Sequence, residues 1–331
     1  MNAIFRPLGV AEIPALVSLR DEVERADPTG VHYDATDIRD EFADPKLDLA
    51  HNTMGVWQGP QLVAYAMVYE PEPVRGVLRF ETSGAVDPAW RRRGLGTEIV
   101  GWMRMRAQAM HAERGAEVPG ELLLGGAAGN ASLAALAGRM GFAPCRYWFT
   151  MSRDLRTAPV GEAAVAPEGL RLAPFAWELD GAVRLAHNEA FRDHWDFAEA
   201  DEADWRTWGT GARSFRADVS AVLLDADDRV AAYLLADEYT ADTAATGRRA
   251  CTVGHLGTRP AHRGKGAARA LLAHTLQAAR RQGYDRAELV VDTANPTGAL
   301  GLYESLSFVV DRKLITYAGP LDTSQGDGQV A

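Results

Sequence analysis

The sequence predicts an α/β fold made of two tandem domains, each a mixed β-sheet with helices on both faces. The chain has 331 residues, more than the ~100–200 residues of a usual single domain. One pattern of residues recurs once at a nearly constant offset, which indicates a duplicated domain. In both halves, short apolar runs alternate with segments of helical apolar spacing, as expected for a sheet covered by helices.

Composition restricts the class of protein. Hydrophobic residues make up 47% and charged residues 24% of the chain, as in an ordinary globular protein. The first residues show no leader-like pattern, and no stretch approaches the ~18 apolar residues that span a bilayer. We therefore expect a cytoplasmic protein without a membrane partner, either a monomer or a homodimer. A net charge of −10 argues against binding to nucleic acid, which depends on cationic side chains.

The two cysteines, Cys145 and Cys251, fall in different halves of the sequence. They are too few for a disulfide framework or a thiolate metal site. We expect both to be small buried core residues, and no metal site is predicted.

The repeat has two blocks. The first is VDPAWRRRGLG at 86–96 and TRPAHRGKGAA at 258–268. At an offset of 172 residues (263 − 91), the segments align Pro88 with Pro260, Arg91 with Arg263, and Gly94 with Gly266. The second block, 130–142 and 295–308, follows in the same order. The predicted domains are 1–155 and 168–320, joined by a linker at 156–167 rich in Ala, Pro and Gly. A polar tail at 321–331 is expected to be disordered.

Apolar spacing and turn residues predict the elements of each copy. In the second copy they are a helix at 180–191, a hairpin of 221–224 with 230–235, a strand at 252–258, a helix at 268–282, a strand at 287–291, a helix at 296–306 and a strand at 309–317. In the first copy they are a hairpin of 54–57 with 62–69, a strand at 77–86, a helix at 97–113 and a strand at 121–124.

A glycine loop between a strand and a helix is the main chemical signal in each copy. The first N–H groups of a helix lack internal partners, and small residues allow an anion to approach them, so the loops predict phosphate binding. A Walker loop does not fit, because Arg259 stands where it needs its first glycine. A Rossmann fingerprint does not fit either, because Ile99 and Arg269 occupy the place of its third glycine.

The pattern Arg-x-x-Gly-x-Gly/Ala resembles the pyrophosphate loop of the GNAT superfamily of acetyl-CoA-dependent N-acetyltransferases, and the block from Asn295 to Phe308 resembles that family's second hallmark. The resemblance covers both halves and implies tandem GNAT domains that use acetyl-CoA. It implies cofactor contacts at the two loops, at the strand end before the second loop and at the asparagine of the second block. These residues are Arg91, Arg92, Arg93, Gly94, Leu95 and Gly96 in the first copy, and Leu256, Gly257, Thr258, Arg263, Gly264, Lys265, Gly266, Ala267, Ala268 and Asn295 in the second.

The two copies differ at the position that the family uses for its general acid. Counting back five residues from the closing phenylalanine gives Tyr303 (308 − 5) in the second copy and Ala137 (142 − 5) in the first. A phenol is able to protonate the departing thiolate, whereas an alanine has no proton to give. We therefore expect chemistry in the C-terminal domain and a structural or CoA-binding role for the N-terminal one.

An acceptor amine attacks only when neutral, so a base has to remove its proton. His255 lies on the strand entering the second loop and is one candidate, although a core histidine is the simpler interpretation. Asp237 and Glu238 follow a strand expected to face the acceptor, and Glu238 is preferred of the two. N–H groups around Leu256 to Thr258 are candidates to hold the thioester oxygen.

The segment 187–208 is rich in histidine and tryptophan. It is expected either to hold a hydrophobic or aromatic amine or to pack into the core. The function predicted overall is direct acetyl transfer from acetyl-CoA to a primary amine of a small molecule in a ternary complex. A non-catalytic acyl-CoA-binding protein and a protein N-acetyltransferase are the alternatives.

Overall fold

The structure is a computed structural model that describes residues 3–71, 76–157, 165–195, 197–294 and 299–322. It divides the chain into two compact units. Unit 1 consists of residues 1–147 with 312–331, and unit 2 consists of residues 148–311. The last strand of each sequence half therefore contributes to the unit formed by the other half.

Unit 1 is an α/β unit. In chain order its elements are β1 (Ile4–Arg6), α1 (Ile13–Ala26), α2 (Ala35–Phe42), α3 (Leu49–Asn52), β2 (Thr53–Gln58), β3 (Gln61–Val68), β4 (Leu78–Phe80), β5 (Thr82–Val86), α4 (Leu95–Glu113), β6 (Gly120–Ala127) and α5 (Ala131–Arg139), followed by β7 (Ala143–Asp154), which leads into unit 2.

The strands of unit 1 form two groups, β1-β2-β3-β5 and β4-β6, and the second group is extended beside β6 by β13 (Val309–Pro320). The helix α4 packs through Ile99 and Met103 against one core cluster, and α1 packs through Leu16 and Leu19 against another. Helices therefore cover both faces of the strands, as the sequence predicts.

Unit 2 repeats this order. Its further elements are β8 (Arg171–Pro174), α6 (Asp180–Phe191), α7 (Glu202–Trp208), β9 (Ala221–Leu224), β10 (Val230–Asp237), α8 (Thr240–Thr246), β11 (Ala250–Thr258), α9 (Ala267–Arg281), β12 (Arg286–Asp292) and α10 (Ala299–Ser305), followed by β13 (Val309–Pro320), which leads into unit 1.

The sheet of unit 2 has the order β7-β12-β11-β10-β9-β8, in which β11 and β12 are parallel. Every residue of β10 is buried, because successive side chains point to opposite faces and both faces are covered. On one face α9 packs through Leu272 and Leu276, and each buried leucine contributes ~1.5–3 kcal/mol. On the other face lie α6 and α7 with Val183 and Trp205.

The final strand of each half pairs in the opposite unit. Residues 148–154 of β7 pair antiparallel with 286–292 of β12, and residues 314–320 of β13 pair antiparallel with 121–127 of β6. The sequence bounds 1–155 and 168–320 describe the repeat and stay a prediction for the domains. The compact units differ from those segments at these two strands.

The predicted α/β class is confirmed, and the predicted helix at 180–191 and strand at 221–224 have the same bounds in the structure. The predicted single strand at 77–86 is wrong in one respect, because it is interrupted between β4 and β5, which pair with different neighbours. The start of the helix predicted at 296–306, most of the linker and most of the tail lie outside the described residues.

Cys251 is buried as expected, but Cys145 is exposed, so the expectation for Cys145 is wrong. It lies on β7, where its thiol donates to the Thr316 carbonyl oxygen at 3.3 Å. Within the described ranges, no helix is both long and apolar enough to cross a membrane. The same residues contain no group of three or more side chains arranged to hold a metal ion.

Candidate active site

Two loops, one in each unit, join a strand to a long helix with the same backbone path. The φ angle is 63° at Arg92 and 90° at Gly94, and it is 74° at Gly264 and 85° at Gly266. Such left-handed residues turn successive N–H groups towards one point and form an anion-binding concavity. A Cβ atom added at Gly94, Gly264 or Gly266 would meet no atom within 4 Å, so the space beside each loop is open to a ligand.

The helices α4 and α9 begin directly after these loops. Their N-cap residues, Gly94 and Gly266, supply no side-chain cap, so the first-turn N–H groups face the loop with the positive end of the helix dipole. The side chains of Leu95 and Ala267 are each 3% exposed, so of these two residues only the N–H groups are available to a ligand. This arrangement fits the diphosphate of a CoA thioester.

The motif arginines have a structural role that is the same in both units. Arg91 and Arg263 each donate through Nε to the carbonyl oxygen five residues earlier, at 3.3 and 3.2 Å. The Nη2 atom of Arg91 pairs with Asp27 at 2.7 Å, and that of Arg263 donates to the Ala190 carbonyl oxygen at 2.8 Å. Each arginine therefore ties its loop to the preceding strand and to the end of the unit's first long helix.

The remaining loop cations are exposed. Arg93 stacks on the Trp90 ring at 4.6 Å, and Lys265 donates to the Ala261 carbonyl oxygen at 3.1 Å. With the exposed Arg92, they place positive charge beside the loops in a chain of net charge −10. Contact of these side chains with phosphate stays a prediction, as does the role of Asn295, which lies outside the described residues.

In unit 2 the strand leading to the loop separates from its neighbour. β11 pairs with β12 only from Ala250 to Val253, while it follows β10 as far as Thr258. The N–H of Arg259 donates towards β10, to the Ala231 carbonyl oxygen at 3.0 Å. Because N–H directions alternate along a strand, those of Leu256 and Thr258 face the gap. That they hold the thioester oxygen stays a prediction.

Unit 1 has the same separation and an open cavity at it. β5 pairs with β3, whereas β6 pairs with β4 and β13. A cavity of about 670 Å³ runs from Gly94 at the loop, past Leu133 on α5, to Arg20, Tyr65 and Ser83. Its volume lies in the range of small-molecule sites, ~300–1,000 Å³.

The inner end of that cavity is a buried ion-pair network. Arg20 is 7% exposed and donates to both Glu41 oxygens at 2.7 and 3.0 Å, while its Nε donates to the Tyr65 hydroxyl at 3.2 Å. The Tyr65 hydroxyl lies 3.1 Å from the Ser83 Oγ atom. Tyr69 also donates to Glu41. The positive charge is thus neutralised within the protein.

Unit 2 has imidazoles where unit 1 has this network. The Nδ1 atom of His187, on α6, shares a hydrogen bond of 2.7 Å with the Tyr233 hydroxyl. The His187 ring centroid lies 5.3 Å from that of His255 on β11, and the Trp208 ring lies 5.4 and 5.3 Å from the two imidazoles. Phe191 stacks on His187 at 4.7 Å.

We call the whole group the aromatic cage. Its members are His187, Phe191, Phe197, Trp205, Trp208, Tyr233 and His255.

Burial lowers the pKa of His255 to about 4. Burial also lowers the pKa of His187 to about 3, with a further contribution from the neighbouring His255 and His194. Both imidazoles are therefore neutral at neutral pH, so each has one ring nitrogen that carries no proton.

Tyr303 lies on α10 and is 8% exposed, with its ring 6.1 Å from Phe308. Burial raises its pKa to about 12, so it is protonated at neutral pH. The Phe308 N–H donates to the Tyr303 carbonyl oxygen at 3.0 Å, and the Phe142 N–H donates to the Ala137 carbonyl oxygen at 2.9 Å. Ala137 thus occupies in unit 1 the position of Tyr303 in unit 2.

Glu238, the preferred carboxylate base of the sequence analysis, is held by cations. Arg249 donates to it at 2.5 and 2.9 Å, Arg216 at 2.9 Å, and Tyr284 at 2.9 Å. The hydrogen bond from Arg249, followed by those from Arg216 and Tyr284, lowers the pKa of Glu238 to about 2. Such a carboxylate is a poor proton acceptor, so its surroundings favour an architectural role.

Asp237 differs from its neighbour. It is 8% exposed, burial raises its pKa, and Ser214 Oγ donates to it at 2.9 Å. A Cβ atom at Gly254 would lie 2.1 Å from an Asp237 oxygen. The irregular pairing that skips Gly254 therefore leaves room for this carboxyl group beside the strand of His255.

Sequence reasoning singled out His255 and the segment 187–208 separately, but it did not join them. The partner that connects His187 to the sheet is Tyr233, which lies between apolar residues of β10 and belongs to no motif. Its meeting with His187 depends on how α6 packs on β10, a tertiary contact that apolar periodicity does not specify.

The sequence model of the acetyltransferase (GNAT) family matches residues 16–142 and 182–308. These two segments carry the two loops, the two strand separations and the Ala137 and Tyr303 positions, and together they make up more than half of the chain. The chain belongs to the GNAT acetyltransferase family.

Curated GNAT relatives extend over most of the chain. It is 31% identical to a mycothiol acetyltransferase of Salinispora tropica over 90% of this chain and 89% of that protein. It is also 31% identical to the mycothiol acetyltransferase of Salinispora arenicola, over 91% and 90% of the two chains.

Solved structures show the same fold. A GCN5-related N-acetyltransferase from Sphaerobacter thermophilus has a TM-score of 0.76 at 24% identity, covering 96% of both chains. A tandem GNAT protein from the clavulanic acid biosynthesis pathway has a TM-score of 0.71 at 16% identity, covering 98% of this chain and 100% of that one. The tandem GNAT architecture expected from the repeat is thereby confirmed.

Proposed function

We propose that unit 2 transfers the acetyl group of acetyl-CoA directly to the primary amine of a small molecule, in the cytoplasm, within a ternary complex. The observation that carries this proposal is the retention of Tyr303 behind an open pyrophosphate loop, at the position where unit 1 has Ala137. A chain that only bound acyl-CoA would have no use for a protonated phenol there.

The roles of the residues follow from their positions. The amine lone pair forms the bond to the thioester carbon, and the nitrogen becomes strongly acidic once that bond exists. His255, neutral at neutral pH with a pKa of about 4, accepts this proton. The N–H groups of Leu256 and Thr258 stabilise the negative charge on the carbonyl oxygen.

The carbon–sulfur bond then breaks, and Tyr303 donates its proton to the leaving sulfur. The products are the acetylated amine and the free CoA thiol. Proton transfer of this kind contributes ~10²–10⁴-fold to a rate. In unit 1 the loop and cavity are retained without the acid, and we propose that this unit holds CoA without turnover.

Release of free CoA thiol in the presence of an amine panel tests the proposal. The panel contains arylalkylamines, amino sugars, a lysine peptide and the acceptor of mycothiol acetyltransferases, which the curated relatives suggest. Because Cys145 is exposed and reacts with thiol reagents, the assay uses the Cys145→Ser variant.

Transfer to at least one small amine, with intersecting initial-rate lines, is the expected result. Parallel lines would indicate a covalent acetyl-enzyme and contradict direct transfer. Transfer only to the peptide would favour the protein N-acetyltransferase alternative. No release above the hydrolysis rate with any amine would favour the non-catalytic one.

A further inference from the structure

The aromatic cage of unit 2 contains both buried side chains and an exposed one. Trp205 is 2% exposed and its Nε1 donates to Asp180 at 2.8 Å, while Tyr233 is fully buried; these two residues are satisfied parts of the core. Trp208 is 37% exposed, although its ring contacts both imidazoles. A core role explains Trp205 and Tyr233, but it does not explain an exposed indole beside the proposed base.

The side chains of the cage offer apolar, planar surfaces. Its side chains present ring faces, and the two imidazoles are neutral because burial lowers the pKa of each. The carboxylates of α6 already have hydrogen-bond or ion-pair partners, since Asp180 accepts from Trp205 and Thr210 and Glu189 pairs with Arg259. Ligand hydroxyl groups buried against such rings would lose hydrogen bonds to water without replacement.

The cage is adjacent to the predicted site of the acetyl group. His255 belongs to the cage, and the next residue on β11, Leu256, directs its N–H into the strand gap. One residue of a strand spans ~3.3 Å. A ring seated on the cage therefore needs only a short chain to bring an attached amine to the thioester carbon.

We propose that the acceptor is an arylalkylamine, a primary amine joined by a short chain to an aromatic ring that packs against Trp208 and Phe191, beside the buried His187. Trp208 is the specificity-determining residue. Aromatic pairs contribute to binding beyond the apolar area that they bury. The inference rests on the proposed function and names the acceptor class of the same site.

Steady-state kinetics with 2-phenylethylamine and glucosamine at saturating acetyl-CoA test the acceptor class. The expected kcat/KM is at least ~10-fold higher for 2-phenylethylamine, from one aromatic contact and the burial of one ring. Trp208→Ala is expected to lower kcat/KM for 2-phenylethylamine about 10-fold, through KM and without change in the KM for acetyl-CoA. Trp208→Phe, which keeps a ring, restores most of this loss.

Trp177→Ala is the matched control. Trp177 is 60% exposed and packs on Phe175 and Phe215, outside the cage, so its removal is expected to leave both acceptors unaffected. Near-UV circular dichroism of each variant reports whether the fold is retained.

A preference for glucosamine or for a lysine peptide would overturn the arylalkylamine class while leaving acetyl transfer intact. An unchanged KM for 2-phenylethylamine in a folded Trp208→Ala protein would also overturn it. If no amine is acetylated, the proposed function fails. Calorimetric titration of 2-phenylethylamine into the CoA-saturated protein then tests separately whether the cage binds an arylalkylamine. Binding to the wild type that Trp208→Ala weakens supports the cage, and absence of binding to the wild type overturns it.

Discussion

Units 1 and 2 share the same backbone fold. They differ in the buried side chains that lie between the central hairpin and the first long helix. A buried tyrosine of the central hairpin accompanies the first long helix in both units, Tyr65 with Arg20 in unit 1 and Tyr233 with His187 in unit 2. Unit 1 keeps a permanent charge there, neutralised by Glu41, whereas unit 2 keeps a neutral imidazole.

The residues at the positions proposed to face the acetyl group also differ between the units. Ser83 pairs with Met67 as His255 pairs with Leu235, so the serine stands where unit 2 has its proposed base. Ala137 stands where unit 2 has Tyr303. The loop geometry, by contrast, is the same in both units. In the proposed function, binding of the CoA diphosphate and catalysis therefore depend on separate sets of residues, and the first set is retained in unit 1 without the second.

The largest expected effect is at the loop glycines. Gly266→Glu places a carboxylate against the diphosphate, and like-charge contact costs several kcal/mol, so we expect ~10³-fold weaker acetyl-CoA binding in unit 2 and loss of turnover. Gly94→Glu should remove the site of unit 1 instead. Titration calorimetry with acetyl-CoA measures both effects. We expect a stoichiometry of two sites in the wild type and one in each variant.

Gly266→Ala is the control for this comparison, because it shares the backbone strain of ~1–2 kcal/mol at positive φ without the charge. Two sites retained in Gly266→Glu would refute the assignment of the loop.

The second largest effect is expected at Tyr303, the proposed general acid. Tyr303→Phe is expected to lower kcat roughly 10- to 10³-fold with little change in the KM for acetyl-CoA, because only the proton is lost. Tyr317→Phe, a change at a tyrosine of unit 1 that is also buried, serves as the control in the same assay. Equal turnover of Tyr303→Phe and wild type at every pH would remove this residue from the mechanism.

The third expected effect is a loss of stability when the buried ion pair of unit 1 is broken. Arg20→Ala leaves Glu41 without its partner, and breaking a buried pair costs ~3–5 kcal/mol. We expect the free energy of unfolding from a urea titration to fall by about 3 kcal/mol. Arg25→Ala, on the same helix but in an exposed pair with Glu22, should leave it nearly unchanged, because solvent screens an exposed pair. Equal effects of the two substitutions would contradict the network.

The smallest expected effect is the pH dependence of unit 2. Its folded-state imidazoles have lowered pKa values of about 3 for His187 and about 4 for His255, against ~6.5 for a free histidine. On acidification the unfolded chain binds protons first, so their stabilising contribution is present above pH ~6.5 and is lost as the pH falls through about 4.

Thermal unfolding followed between about pH 7 and about pH 5 should therefore show a falling midpoint, less steep in His187→Asn. His51→Asn, at a histidine 70% exposed, should leave the slope unchanged. A slope in His187→Asn as steep as in the wild type would show that this imidazole is not protonated on unfolding.

Local sequence patterns were sufficient to predict most of the fold. The hairpin strands, the long helix after each glycine loop and the α/β class follow from apolar spacing and from glycine at positive φ. The pairing partner of β7 and β13 could not be predicted, because a strand's sequence specifies which face is buried and not which neighbour it joins.

The candidate site divides in the same way. The loops and Tyr303 could be located from a spacing, whereas the ion pairs that hold Glu238 come from Arg216 and Arg249, which lie far from any motif. The meeting of His255 with Trp208 similarly depends on how α7 packs, which no local pattern states.

The exchanged last strands have a consequence for how the duplicated gene can evolve. β12 is completed by a strand encoded in the first repeat, so deletion of that repeat would strip the sheet edge from the half that retains Tyr303. A copy without its acid is then kept for the strand that it lends. Selection on the first half would accordingly tolerate changes such as Ala137 while opposing truncation.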